Sequence, residues 1–231
     1  MTVNGVLFDF SGTLFRIEST ASWLRTVLDR AGVQVDETEF ARLEGELREA
    51  GALPGGPVPR VVPDRLAAAW AQRDRSREEH RAAYLGLARE VRLPKPELYE
   101  ALYARHMEPD AWLPYPDATE VLAELRRRGV PVGVVSNTGW DLRPVFRQHG
   151  LDRWVDAFVL SYEHRVQKPD PRLFAIGCRA LGLAPGQVLM VGDDARADGG
   201  AAALGCEVLL VEHRPVTERK DGLRPVLDRL G

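Results

Sequence analysis

Several residues able to act as nucleophile, acid, base or cation ligand stand directly after short apolar runs in this chain. Asp9 follows Val6-Leu7-Phe8, Ser136 and Asn137 close Pro131–Ser136, and Asp193 and Asp194 follow Val188–Gly192. Lys168 lies in the loop beyond Ala157–Leu160. A carboxylate can attack phosphorus or carbon and form a covalent intermediate, which divides one difficult step into two; Asp9 is the candidate. Attack by an anion on a phosphate dianion is repulsive, and a divalent cation bridging nucleophile and substrate oxygen neutralises that charge. Magnesium takes oxygen ligands. Lys168 places a positive charge where negative charge accumulates. The Ser136 hydroxyl and the Asn137 N–H can donate to a phosphoryl oxygen. Thr13 can donate to Asp9 or brace its loop, and Gly12 suits a turn that brings backbone close to a ligand. Arg16 follows the same loop and is a candidate for binding an anionic substrate group. Taken singly, each Asp or Asn is an ordinary turn former or helix cap; it is the ordered set that points to a site.

Elements of a particular kind are needed to bring these residues together. Gly5–Phe10, Pro131–Ser136, Ala157–Leu160, Val188–Gly192 and Glu207–Val211 read as strands buried on both faces, because each is a continuous apolar run. Ala118–Arg128, with Asp117 as its cap, Leu142–His149 and Pro171–Leu181 carry helical patterns between them. Alternation of helix and strand implies parallel β-α-β units with right-handed crossovers. In an open parallel sheet, ligands bind at the carboxyl ends of the strands, where the candidate residues fall. From Arg16 to Trp112 the pattern is helical without a convincing strand: Ala21–Ala31, Glu37–Ala50, Pro63–Arg73, Glu78–Val91 and Lys95–His106. The expectation is an α/β fold, a Rossmann-like parallel core of residues 1–15 and 113–231, with an inserted α-helical domain of residues 16–112. Chain crossings near Phe15–Ile17 and Trp112–Pro116 would be hinges, and the insert would close over the site and exclude water.

The four clusters, in order, resemble the motifs of the haloacid dehalogenase superfamily. VLFDFSGTLF (Val6–Phe15) is similar to its first motif and VVSNTG (Val134–Gly139) to its second. VQKPDPRLF (Val166–Phe174) is similar to its third, and VGDDARAD (Val191–Asp198) to its acidic fourth. The insert resembles the family's helical cap of the first type. The resemblance implies a magnesium-dependent hydrolase with Asp9 as nucleophile. The implied metal ligands are Asp9, the Ser11 carbonyl and Asp193, with Asp194 beside them. Asp198 would stand one step behind, orienting water or Lys168.

One position departs from the family's phosphatases, which carry a second Asp two residues after the nucleophile as acid and base. Here it is Ser11, a poor general acid near neutral pH; loss of such a group costs a factor of about 100 to 10,000 in rate. Three readings follow. Another group supplies the proton (Asp194, His80 or His106), or the leaving group needs none. The bond cleaved is carbon–phosphorus, with Lys95 as the insert's only lysine, or carbon–halogen. Or the fold is a weakly active binding protein. The retained GDD sequence favours phosphoryl transfer.

The resemblance implies a small, phosphorylated substrate, and the rest of the chain points to no nucleic-acid or membrane partner. Its 231 residues carry a net charge of -3 and no long basic run, so there is no nucleic-acid footprint. No apolar run reaches the roughly 20 residues of a membrane span. Two cysteines without a CxxC pattern fit a reducing, cytoplasmic setting, and the expected state is monomer or homodimer. Trp23, Trp70, Tyr84, Tyr103 and Trp112 are candidate pocket aromatics, Trp140 another. Arg25, Arg60, Arg73 and Arg105 join Arg16 as candidate anion binders.

Overall fold

The computed structural model describes residues 3–230. The chain opens with β1 (Gly5–Phe8) and β2 (Phe15–Ile17) and then runs through α1 (Thr20–Arg30), α2 (Glu37–Glu49), α3 (Asp64–Gln72), α4 (Arg77–Ala88) and α5 (Glu97–Arg105). It returns through β3 (Trp112–Pro114) and continues as α6 (Ala118–Arg127), β4 (Val132–Ser136), α7 (Arg143–Gln148), β5 (Ala157–Leu160), α8 (Ser161–His164), α9 (Pro171–Ala180), β6 (Val188–Gly192) and β7 (Glu207–Leu210). Short 3₁₀ segments cover Asp198–Leu204 and Arg224–Asp228.

Five strands form one parallel sheet in the order β5-β4-β1-β6-β7. The chain steps outward from β1 through β4 to β5, then crosses back to β6 and β7 on the other side. β1 therefore lies at a switch point, where such sheets leave a crevice beyond their carboxyl ends. Register aligns those ends: Phe8 pairs with Val134 on one side and with Val191 on the other. The residues that follow, Asp9, Ser136-Asn137 and Asp193, emerge along one edge.

The apolar runs make strands because both sheet faces are covered. Val6 and Phe8 join Val134, Leu189 and Val191 in a cluster with α6 and α7. Leu7 points the other way, with Val135, Val159 and Met190, onto Leu173, Phe174 and Cys178 of α9. Burying each such side chain stabilises the fold by about 1.5–3 kcal/mol relative to exposure.

Three helices between β2 and β3 begin with side-chain caps. Ser19 accepts from Ser22 N at 3.1 Å, Asp36 from Glu39 N at 2.8 Å and Ser76 from Glu79 N at 3.1 Å, each satisfying an N–H left free at a helix start. α1 buries Trp23, Leu24, Val27 and Leu28, and Trp23 Nε1 donates to the Leu102 carbonyl of α5.

Two expectations are corrected. The first strand ends at Phe8, so Asp9 and Phe10 belong to the loop. The segment read as strandless is bounded by β2 and β3, which pair antiparallel through Phe15–Pro114, Arg16–Leu113 and Ile17–Trp112. Three residues are too few to carry a legible alternation. Asp117 does take the N-cap position of α6, but its side chain makes no cap hydrogen bond; its Oδ2 accepts from Leu223 N at 2.7 Å and ties down the C-terminal segment. Among the described residues no helix is long and apolar enough to cross a membrane.

Candidate active site

A cavity of about 790 Å³ opens at the carboxyl ends of β1, β4 and β6. Asp9, Ser11, Ser136, Asn137, Lys168, Asp193 and Asp194 line it from the sheet side, and Arg16 from β2. The far wall comes from the helical segment: the loop Leu53–Val58, and Trp70, Arg73, Asp74, His80 and Tyr84. Residues as far apart in sequence as Asp9 and His213 thus meet in one space.

Lys168 is its electrostatic centre. Its Nζ lies 2.7 Å from Asp9 Oδ1 and 2.5 Å from Asp198 Oδ1, and only 4% of the residue is exposed. Burial opposes the ammonium charge, but Asp198 and Asp9 outweigh it and hold Lys168 above the usual lysine range. Asp9 is pushed the other way: burial raises its carboxyl to about 7 against the pull of Lys168, with repulsion from Asp198 and Asp193 adding to the rise. Asp198 is fully buried; besides Lys168 it accepts from Asp194 N at 3.0 Å. It holds the ammonium and the fourth-motif turn together.

Asp9, Asp193 and Asp198 offer carboxylate oxygens within 4.8 Å of one another. Hard oxygen donors at this density suit a small divalent cation. Three carboxylates against one buried ammonium leave an excess of negative charge that such a cation would relieve. The donor set therefore fits a metal, with Asp9 and Asp193 lining the cavity and Asp198 turned toward Lys168.

Some predicted residues act differently from expectation. Thr13 donates to Asp193 Oδ1 at 3.3 Å, not to Asp9. Asp194 lies outside the group of three: its Oδ1 accepts from Arg196 N at 2.8 Å and Ala197 N at 3.0 Å, which shapes the turn after β6. The Asn137 side chain binds the Lys168 backbone in both directions, donating to its carbonyl at 3.1 Å and accepting from its N–H at 2.7 Å. It positions the lysine loop and leaves its own N–H as the group that could meet substrate. The Ser11 hydroxyl turns toward the Gly55 carbonyl, at 3.5 Å, in the opposite wall. Gly12 has φ +78°, and a Cβ there would overlap Asp193 and His213. Arg16 lines the cavity with a buried Nη1 that has no hydrogen-bond partner among the described residues.

Of the candidate aromatics, Trp70, Tyr84, Trp112 and Trp140 line the cavity; Trp23 and Tyr103 do not. Of the arginines, Arg73 lines it as well as Arg16. Arg105 is buried against Glu18, Glu108 and Asp110. Arg25 stacks on Phe40, and Arg60 is exposed on the surface. Lys95 is exposed and away from the cavity.

Three participants were missed in the sequence. Arg219 is buried; its Nη1 donates to the Gly12 carbonyl at 2.6 Å, its Nη2 donates to the Thr13 carbonyl, and its guanidinium stacks on Tyr115. His213 contacts the Asp193 carboxylate through Nδ1. Asp74 is a buried carboxyl in the turn between α3 and α4. None sits in a motif, and Arg219 and Asp74 follow no apolar run. For His213 alone there was a usable hint, since it lies just beyond the end of the last strand.

Comparison with known proteins agrees with this geometry. A family model described as haloacid dehalogenase-like hydrolase matches residues 3–205. A phosphoserine phosphatase of Thermus thermophilus is 33% identical over 218 residues, covering 87% of this chain and 83% of that protein. An (S)-2-haloacid dehalogenase of Burkholderia cepacia is 32% identical over 101 residues, and the match spans only 44% of its length. The crystal structure of a HAD phosphatase from Thermococcus onnurineus superposes with a TM-score of 0.60 at 22% identity, covering 99% of both chains; at that identity the likeness speaks to the fold. With Asp9, Lys168 and the acidic group gathered at the switch point of such a sheet, the chain belongs to the haloacid dehalogenase-like hydrolases.

Proposed function

We propose that this hydrolase is a magnesium-dependent phosphohydrolase of small phosphorylated metabolites, working through an aspartyl-phosphate at Asp9. The observation that carries this reading is the group of three carboxylates, Asp9, Asp193 and Asp198, two of them paired with Lys168: a site that had lost phosphoryl chemistry has no need to hold this much negative charge together. The name of the Thermus thermophilus relative, a phosphomonoester hydrolase, supports the same class.

In this reading Asp9 attacks phosphorus. Lys168 keeps the nucleophile oriented and offsets negative charge on the transferring group. Ser136 and the Asn137 N–H hold phosphoryl oxygens, and Thr13 fixes Asp193. Magnesium, held by Asp9, Asp193 and the Ser11 carbonyl, would neutralise the charge between nucleophile and phosphate. Residues 16–112 act as a cap over a core of 1–15 and 113–231, and the β2–β3 ribbon is the two-stranded connection between them. Arg16 and Arg73 line the space left for the rest of the substrate.

A carbon–halogen reading has one specific support, the dehalogenase relatives combined with Ser11; the acidic group weighs against it, because displacement of halide by a carboxylate needs no cation. A Schiff-base route to carbon–phosphorus cleavage lacks its lysine, since Lys95 lies away from the cavity. The test is phosphate release from a panel of phosphomonoesters, acyl phosphates and phosphonates, with and without EDTA and with Asp9→Asn as blank. Release that needs magnesium and Asp9 is expected. Halide release from 2-haloacids that persists in EDTA, with no phosphate release, would sink the proposal.

A further inference from the structure

We propose that Asp74 is the acid–base residue of this site, supplied across the cavity in place of the position occupied by Ser11. The inference rests on the phosphohydrolase reading above. It starts from how firmly the α3–α4 turn is held. Ser161 Oγ lies 2.5 Å from the Asp74 carbonyl and accepts from Thr138 N at 2.9 Å, which pins the turn to the loop that follows Ser136 and Asn137. Gln167 Nε2 donates to the Ala71 carbonyl at 2.9 Å, which pins the end of α3 to the residue before Lys168. Both loops that carry the phosphate-binding groups thus grip the segment that carries Asp74. A residue held this way keeps its place relative to the reacting atoms.

The Asp74 carboxyl lines the same cavity as Asp9, Ser11 and Lys168 and is 4% exposed. The groups facing it are Arg73, with Nε at 3.4 Å, His80, with Nε2 at 4.0 Å, Tyr84 and the more distant Lys168. Burial raises its pKa, against the lowering effect of Arg73 and Lys168, a shift in the direction that a general acid needs. The alternatives named from sequence fit less well. Burial pulls His80 well below the ordinary histidine range, so it holds no spare proton near neutrality. His106 is held down to about 3 by burial and does not line the cavity. Asp194 is committed to its own turn.

The steps balance. Asp9 forms a bond to phosphorus, the bond from phosphorus to the leaving oxygen breaks, and that oxygen takes the Asp74 proton to leave as an alcohol. Asp74, now a carboxylate, takes a proton from the water that attacks the aspartyl-phosphate. The bond between phosphorus and Asp9 breaks, phosphate departs, and Asp74 is protonated again.

The test is leaving-group dependence in the full chain with magnesium, using Asp74→Asn, which keeps the volume and both backbone anchors. Asp74→Asn should lower kcat/KM for alkyl phosphates by about 100-fold or more, yet change kcat/KM for p-nitrophenyl phosphate by less than about five-fold, since that leaving group departs without a proton. The aryl substrate should also give a burst of p-nitrophenolate followed by slow turnover, because water is no longer activated. Equal losses on both substrates, or no loss on either, would overturn the proposal. Wild-type protein provides a check that does not depend on the variant folding: a shallow dependence of kcat/KM on leaving-group pKa is expected, and a steep one overturns the assignment. Wild-type release that is absent from both substrates, or unchanged in Asp9→Asn, would mark instead the failure of the phosphohydrolase reading beneath it.

Discussion

Gly12 shows how tightly the first loop is constrained by its neighbours. Its φ of +78° is left-handed, and the space a Cβ would fill is taken by Asp193 and His213. Gly12→Ala should destabilise the fold by about 1–2 kcal/mol from backbone strain alone, and should weaken magnesium binding because Asp193 must move. Urea denaturation and calorimetric titration with magnesium would read the two effects. A second residue-scale prediction concerns His106, which is fully buried and held down to about 3 by that burial. It stays neutral in the folded chain while the unfolded chain takes up a proton near 6.5. Its stabilising effect is therefore complete above about pH 6.5 and is lost as pH falls toward 3, at up to about 1.4 kcal/mol per pH unit. His106→Gln should flatten the acid side of a stability–pH curve; an unchanged slope would show that His106 is not the group responsible. Asp9, Ser136, Lys168, Asp193 and Asp198 were legible as residues because each stands in a motif near a strand end. Asp74 was not, since a carboxyl between two helices looks in sequence like any other exposed turn.

At the scale of elements, the C-terminal segment turns out to brace the nucleophile loop. Arg219 donates to the Gly12 and Thr13 carbonyls and to the Glu212 carbonyl at 3.1 Å, and Asp117 holds Leu223 N. A buried guanidinium serving three carbonyls ties the loops after β1 and β7 into one body. Arg219→Ala should leave those carbonyls unpaired and lower unfolding stability by roughly 2–4 kcal/mol. It should also reduce turnover, because the Asp9 loop loosens. Stability and kcat measured on the same preparation would check both; loss of neither would mean the clamp is incidental. The strands were readable because burial on both faces leaves an uninterrupted apolar run, and the helices because their apolar stripes recur. β2 and β3 were not, because their pairing is set by the closeness of two chain crossings and not by any local pattern. Arg219 was hidden for a related reason: two of its three carbonyl partners, those of Gly12 and Thr13, are more than 200 positions away.

The whole molecule places a parallel sheet and a set of helices on opposite sides of one cavity, and each side contributes charged groups. The sheet side carries Asp9, Lys168 and Asp193; the helical side carries Arg73, Asp74 and the neutral His80. In the proposed reading this division lets a chain with Ser11 carry out phosphoryl chemistry, with Asp74 on the helical wall providing the group absent beside Asp9. It also predicts that magnesium stabilises the folded chain through the acidic group, raising Tm with a dependence on metal concentration. Asp193→Asn should abolish that increment, as thermal denaturation across a magnesium titration would show. The covalent intermediate at Asp9 can be captured by an acid-quenched single turnover in heavy-oxygen water, followed by mass analysis of the peptide containing Asp9. The account predicts a phosphoryl group on Asp9 that decays into labelled phosphate while the Asp9 carboxylate stays unlabelled, because water attacks phosphorus. Heavy oxygen incorporated into Asp9 itself, with no phosphoryl adduct, would mean that water attacks a carbon ester and would contradict it.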